Sequence, residues 1–374
     1  MRDFERLIFA YEFFKRFLVR IAPRFSPVSV DPSLYALFKS PMDAQSIRVV
    51  AGSSVGLMQA IGRAPDGATI ILEGVFRETV SISSKSLRLV GCGDGLKSVI
   101  HAPADSDALI RSTAVIRLSG AHSFEMEGIT VQANKRRDNS SGAWSVMAKE
   151  WSDHNPDVKA FKKNGKNKRK PLPQAPLIDQ GRCANGLEIT ENVVHASFKG
   201  CVFMGGCEVS AGSSAHFKDC MLVDGVVNGL YVSNSKVLME DCVVARHDSA
   251  NVAVEHSNSA FFLRCKIFGS RSTGVYLFNK GCAVFEGCEV FANEQTCIQV
   301  EGDGTDPIVR GCRIHHGEQY GMFITNKATG TIENNVFYAN IWAAIATTEG
   351  GNPLFRMNSV FRREKFFVCF LSYF

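Results

Sequence analysis

From Phe198 onward, apolar residues come in pairs two positions apart, and the pairs return at a near-constant interval. A cysteine marks most returns: Cys201, Cys220, Cys242, Cys265, Cys288 and Cys312, spaced 19, 22, 23, 23 and 24 residues apart. Two further steps of 23 residues reach Asn335 and Asn358, so asparagine takes over the same slot. Three residues before the marker stand Phe198, Phe217, Met239, Phe262, Phe285, Val309, Ile332 and Phe355. Two after it stand Phe203, Leu222, Val244, Ile267, Val290, Ile314, Phe337 and Val360. Ten and twelve after it come further pairs, among them Leu230 with Val232 and Val275 with Leu277. A spacing of two is the strand period, in which alternate side chains share one face. A fixed repeat of this length marks a solenoid. Three short strands per unit, with neither a leucine-rich pattern nor a 3.6-residue period, predict an all-β parallel β-helix with coils of about 22–24 residues.

Stacked coils place equivalent residues in columns along the axis, about 4.8 Å apart. The marker column (Cys201, Cys220, Cys242, Cys265, Cys288, Cys312, Asn335, Asn358) is then a structural ladder, with cysteine as a small space-filling hydrophobe. Disulfides need an oxidising compartment, and no C-x₂-C pair suggests zinc. Asparagine at the end of the column is expected to bond neighbouring amides and turn backbone. Nine after the marker stand Gly229, Asn251, Gly274, Cys297, Gly321 and Ala344, a composition that predicts a turn needing positive φ.

The same unit extends upstream. Met126, Ile129 and Val131 fit the columns, and the stretches Ala68–Ile82, Ser86–Gly91 and Ser98–Ala102 read as strands of the first coils. Ser53–Gly67 reads as a short helix covering the open end of the stack, whose unpaired edge needs protection. The expected organisation is a helical or irregular segment at 1–52, the capping helix at 53–67, first coils at 68–134, an insertion at 135–182, further coils at 183–361 and an apolar tail at 362–374. Within Met1–Phe25, Phe4, Leu7, Ile8, Tyr11, Phe14, Leu18 and Ile21 fall on one helical face, and charges interrupt the stretch too often for a signal or membrane span. The expected location is intracellular, cytoplasmic or nuclear.

Charge is unevenly placed. The chain carries a net +5, yet residues 135–170 hold 11 Lys or Arg against 4 Asp or Glu, so the remainder is slightly acidic. The insertion reads as a disordered basic loop. Lys162, Lys163, Lys166, Lys168, Arg169 and Lys170 are its candidate binding residues, for an acidic surface, a nucleic acid or the nuclear-import machinery. Trp144 and Trp151 are candidates to dock part of it on the coil wall.

Chemistry is harder to find. Asp219 and Asp241 occupy the position before the marker on successive coils, near the carboxylate spacing of a retaining glycosidase, with Glu240, His216 and His247 close in sequence. They are the candidate catalytic pair. The neighbouring column, Lys199, Lys218, Glu240, Leu263, Glu286, Arg310, Glu333 and Arg356, alternates in sign over its last four members and predicts an outward salt-bridge ladder. His315 and His316 read as turn surface. No nucleotide or metalloprotease motif stands out, so no cofactor and no metal are expected.

The stretch Asp306–Phe361, DPIVRGCRIHHGEQYGMFITNKATGTIENNVFYANIWAAIATTEGGNPLFRMNSVF, resembles right-handed β-helix repeats of the CASH type. Such repeats occur in F-box-only adaptors, Shc SH2-domain-binding proteins and NosD-like proteins. The resemblance spans roughly Thr69–Val360 outside the insertion. It implies a single-stranded right-handed parallel β-helix of the pectin-lyase-like type. Met1–Gly52 lacks the leucine and tryptophan pattern of an F-box. The function expected is a non-enzymatic scaffold with a protein partner; the alternative is a polysaccharide lyase or glycoside hydrolase.

Overall fold

An apolar residue at every second position buries one face of a strand, and a repeat of fixed length sets the same position of the next unit beside it. The computed structural model, which describes residues 46–92, 98–103, 114–133, 185–257 and 259–361, is built this way throughout. Each coil contributes three short strands, and each strand pairs in parallel with its counterpart one coil away. We call the three resulting sheets A, B and C in the order the chain visits them.

Sheet A runs from Ser46–Val50 to Leu354–Arg356, sheet B ends at Ser359–Phe361, and sheet C runs from Val80–Ser83 to Ala343–Thr347. Sheets A and B are joined through the long strand Thr69–Arg77 into 22 strands; sheet C has 10. The registers are those predicted. Phe217, Met239, Phe262, Phe285 and Val309 lie side by side in sheet A. Leu222, Val244, Ile267, Val290 and Ile314 do so in sheet B, and Leu230, Val252, Val275, Ile298 and Met322 in sheet C. All point into one core. Like rings stack along the columns: Phe198 on Phe217 at 4.8 Å and Phe262 on Phe285 at 4.5 Å between centroids.

The marker column does more than fill space. Each thiol points its S–H at the carbonyl three residues before the marker of the preceding coil: Cys220 to Phe198 at 3.4 Å, Cys265 to Met239 at 3.6 Å, Cys288 to Phe262 at 3.2 Å and Cys312 to Phe285 at 3.5 Å. Asn335 and Asn358 send their amide N–H to the equivalent carbonyls, Val309 at 2.8 Å and Ile332 at 2.6 Å. Asn335 Oδ1 also accepts from the Cys312 amide at 2.8 Å, and Asn358 Oδ1 from the Asn335 amide at 2.9 Å. Cysteine therefore acts here as a weak donor in an asparagine ladder.

The turn from sheet A to sheet B is two residues long, the second being the marker, and its first residue is in the left-handed region: Gly128, Gly200, Asp219, Asp241, Arg264, Gly287, Gly311, Asn334 and Met357 have φ between 52° and 63°. The glycines nine after the marker need another explanation, because Gly229, Gly274 and Gly321 do not have positive φ. There the constraint is space. A Cβ on Gly274 would lie 2.6 Å from the Cys297 carbonyl oxygen, and one on Gly321 2.5 Å from that of Ala344.

At the N-terminal end, residues 1–52 were expected to be helical or irregular, yet Ser46–Val50 is a strand pairing with Thr69–Arg77. It is too short to show a period and carries no marker. The helix is Leu57–Arg63, shorter than expected, and it packs Leu57, Ala60 and Ile61 into the core. The Glu78 carboxylate accepts from its Leu57 and Met58 amides at 2.8 and 3.0 Å. The coils resume their pairing across the insertion, with one irregularity at Gly206: Val131 pairs with Phe203, and Leu187 with both Ile116 and Cys207, while Gly206 pairs with Asn185. The basic residues Lys162 to Lys170, Trp144, Trp151, Met1–Phe25 and the tail at 362–374 lie outside the described residues.

Candidate functional site

The outward faces of the three sheets differ in chemistry. That of sheet A carries cross-coil ion pairs. Glu127 lies between Arg88 at 3.0 Å and Lys199 at 3.1 Å, and Arg310 closes on Glu286 at 2.7 Å, the one rung of the predicted alternating series with an ion pair at this distance among the described residues. That of sheet B carries a buried apolar cluster of Met221, Val223, Val243, Phe268 and Phe291, bordered by the exposed Lys266 and Arg313. Along it Phe268, Phe291, His315 and Tyr338 stack successively at 4.8, 5.0 and 4.3 Å. His315 is 0 % exposed, not turn surface as its sequence position suggested. Its Nε2 lies 3.3 Å from Glu289, which also meets Arg313 at 3.0 Å. Burial opposes charge on Glu289, but His315 and Arg313 outweigh it and hold its carboxyl at about 2. Burial pushes His315 below the usual imidazole range.

Sheet C differs from both. Its outward column in strand register is Glu188, Glu208, Tyr231, Ala253, Tyr276, Gln299 and Phe323, all half-buried except Ala253, which is buried. Two residues on, Glu255, Phe278 and Glu301 also face outward. Tyr276 and Phe278 stack at 4.5 Å, and Tyr320 and Phe323 at 5.1 Å, both pairs with nearly parallel ring planes. Trp342, 53 % exposed, meets Tyr320 edge-on at 5.2 Å.

The tyrosines hold the carboxylates. Tyr231 donates its hydroxyl to Glu255, and Tyr276 to Glu301 at 2.8 Å. Burial and these carboxylates push both phenols up to about 12. Burial works against the charge on Glu255, but bonds from Tyr231 and Asn279 outweigh it and keep the carboxyl below the ordinary range. At the other end, Arg117 makes a two-pronged bond to Glu188 at 2.9 and 3.1 Å. Glu208, its neighbour on the next strand, is pushed above the ordinary range by burial and by Glu188. Two adjacent carboxyls in unlike surroundings are what acid–base cleavage of a glycosidic bond uses.

The pair expected from sequence has a different setting. Asp219 and Asp241 fall in the left-handed turn column at the A–B corner, where a short polar side chain tolerates positive φ. Asp241 is engaged by Arg264 through two bonds of 2.8 Å. Asp219 is raised by burial and by Asp241. His216 approaches Glu240 at 3.8 Å, while His247 turns into the core, with its ring bonded to the Gly225 amide and the Leu222 carbonyl at 3.1 Å each. Arg264 thus engages Asp241, and His247 is directed into the core. The sheet C carboxylates were legible only as outward members of alternating strands, and no motif marks them. Among the described residues no group of three or more His, Cys, Asp or Glu side chains is placed to hold a metal, and no helix is long and apolar enough to cross a membrane.

Residues 205–360 match the family model described as "Right handed beta helix region". The described coils form a right-handed parallel β-helix. Solved structures similar to this β-helix include the A-module of a mannuronan C-5 epimerase from Azotobacter vinelandii (TM-score 0.43, 13% identity, covering 83% of this chain and 92% of that one). A pectin methylesterase from Aspergillus niger gives 0.39 at 12% identity, covering 86% and 87%. The receptor-binding domain of the Siphovirus 9NA tailspike gives 0.41 at 10%, covering 85% and 77%. At these identities the likeness concerns the fold of the β-helix alone.

Proposed function

We propose that this β-helix binds an extended carbohydrate along the outer face of sheet C and acts on it at Glu188 and Glu208. The observation that carries the reading is the line of half-exposed rings and carboxylates from Glu188 to Phe323. Flat aromatic surfaces interleaved with fixed polar groups suit sugar rings, which present apolar faces and a rim of hydroxyls. Glu208 is the candidate acid and Glu188 the carboxylate opposite it. Affinity electrophoresis against a panel of polysaccharides tests the binding. A Tyr276→Ala, Phe323→Ala double variant loses retardation, and Asp219→Asn, Asp241→Asn keeps it. Glu208→Gln retains binding and loses any release of reducing ends. A protein retarded by no polysaccharide overturns the reading.

The second reading is a protein-binding scaffold. It is favoured by apolar side chains exposed toward the C-terminal coils, Ile341 at 59 % and Met357 at 84 %. It predicts a stable protein complex that Ile341→Asp, Met357→Asp abolishes, whether or not residues 135–170 are present. Loss of every partner on removing those residues would instead assign binding to the basic insertion, to an acidic surface or a nucleic acid. An intracellular location is part of the proposal. It is supported by ten described cysteines, all free thiols, which suit a reducing compartment.

A further inference from the structure

We infer that the ligand of the sheet C face is a linear polysaccharide carrying ammonium groups, that is, a polymer of free amino sugars rather than of uronic acids. The inference rests on the carbohydrate reading above and adds the sign of the ligand's charge.

Outside sheet C this solenoid repeatedly neutralises its carboxylates with a cation from a neighbouring coil. Glu127 has Arg88 and Lys199, Asp241 has Arg264, Glu286 has Arg310 and Glu289 has Arg313, all between 2.7 and 3.1 Å. Sheet A has exceptions, since Glu240 faces His216 at 3.8 Å and Glu333 has no lysine or arginine within 4.0 Å among the described residues, but on the outer face of sheet C such carboxylates are the majority. Glu188 has Arg117, but among the described residues neither Glu208 nor Glu301 has a lysine or arginine within 4.0 Å, and Glu255 meets only the half-exposed His256, at 3.6 Å. The outward strand positions of this face hold four carboxylates, Glu188, Glu208, Glu255 and Glu301, against one guanidinium, Arg117.

These carboxylates are fixed by neutral donors instead. Glu301 accepts from Tyr276 at 2.8 Å, Gln299 at 3.3 Å and Asn326 at 3.0 Å. Glu255 accepts from Tyr231, from Ser233 at 3.3 Å and from Asn279 at 3.0 Å. Neutral donors orient a carboxylate without discharging it, so its charge stays available to a cation, and little side-chain freedom is lost on binding. The arrangement repeats: Tyr231 with Glu255 and Tyr276 with Glu301 stand two coils apart, about 9.6 Å at the usual strand spacing. A repeating acceptor beside stacked ring pairs fits a polymer of rings bearing a regular positive charge. A polyuronate would meet like charge along the whole face.

Calorimetric titration of the full-length protein with three hexasaccharides, of glucosamine, N-acetylglucosamine and galacturonate, tests this at pH 6 and two salt concentrations. The glucosamine hexamer is expected to bind tightest and to weaken with salt. Glu255→Gln and Glu301→Gln are each expected to weaken it by about tenfold, the loss of one charge-assisted contact. Their melting temperatures check that they fold. If the galacturonate hexamer binds as tightly, or the N-acetylated hexamer matches the free amine and ignores both substitutions, the charge inference falls and the carbohydrate reading stands. If none of the three binds and a peptide of residues 161–170 does, in a Glu301-dependent way, the face serves a basic polypeptide and both readings fall. If nothing binds, both fall as well.

Discussion

At the scale of the residue, one backbone requirement is met by different side chains in a single column. A carbonyl left facing the core beside each A–B turn accepts from a thiol in six coils and from an amide in the last two. Cys288→Val removes the donor to the Phe262 carbonyl and adds roughly a methyl group to the column. We expect a loss of about 1 kcal/mol, read as a lower urea midpoint. Gly274→Ala is expected to cost about 1–3 kcal/mol, because the added methyl meets the Cys297 carbonyl and the Asn293 amide in a packed interior. Asp241→Asn weakens a surface ion pair with Arg264 and is expected to move stability by less than about 1 kcal/mol. The marker column was readable in the sequence because it repeats; its hydrogen bonding was not, because cysteine is read first as a hydrophobe. Glycine was misread for a similar reason. Composition shows that a side chain is missing, and only the neighbouring coil shows whether φ or space removed it.

At the scale of the element, the inward columns could be read directly, since burial imposes alternation. The predicted register matches sheet by sheet. Phe262→Asp or Ile267→Asp, each placing a charge in the core, is expected to prevent folding; a soluble variant with a cooperative melt would contradict the register. The outward faces were less legible, because an outward position is free of the repeat and records only its own surroundings. The burial of the cluster on sheet B's outer face was therefore not foreseen, nor was that of His315. This element has a pH signature. The folded state holds Glu289 at about 2, against 4.5 ordinarily, so its contribution is complete above pH 4.5 and is lost as pH falls toward 2. That loss amounts to about 3 kcal/mol by the usual conversion. His315 is held neutral, so stability also declines as pH falls below its ordinary 6.5. Urea midpoints measured across pH 7 to 3 are expected to fall in both ranges. Glu289→Gln should be less stable at pH 7 and lack the lower step.

At the scale of the whole molecule, organisation was legible wherever the repeat was intact and silent where it was not. The strand Ser46–Val50 carries no marker, and the chemistry of sheet C depends on residues from many coils that no local motif joins. Because the coils are equivalent, removing one of them, Cys265–Gly287, is expected to leave a folded β-helix with a sharp melt, whereas removing half a coil is expected to abolish it. Circular dichroism and thermal melting of the two deletions check this. The two-residue turn between sheets A and B bears on how such a gene changes length. Since that corner always returns the chain to the same phase, a duplication or loss of one repeat by unequal recombination preserves every pairing on either side. Selection then acts on the outward residues alone, and the reach of the sheet C face can lengthen or shorten by whole coils while the interior is inherited unchanged.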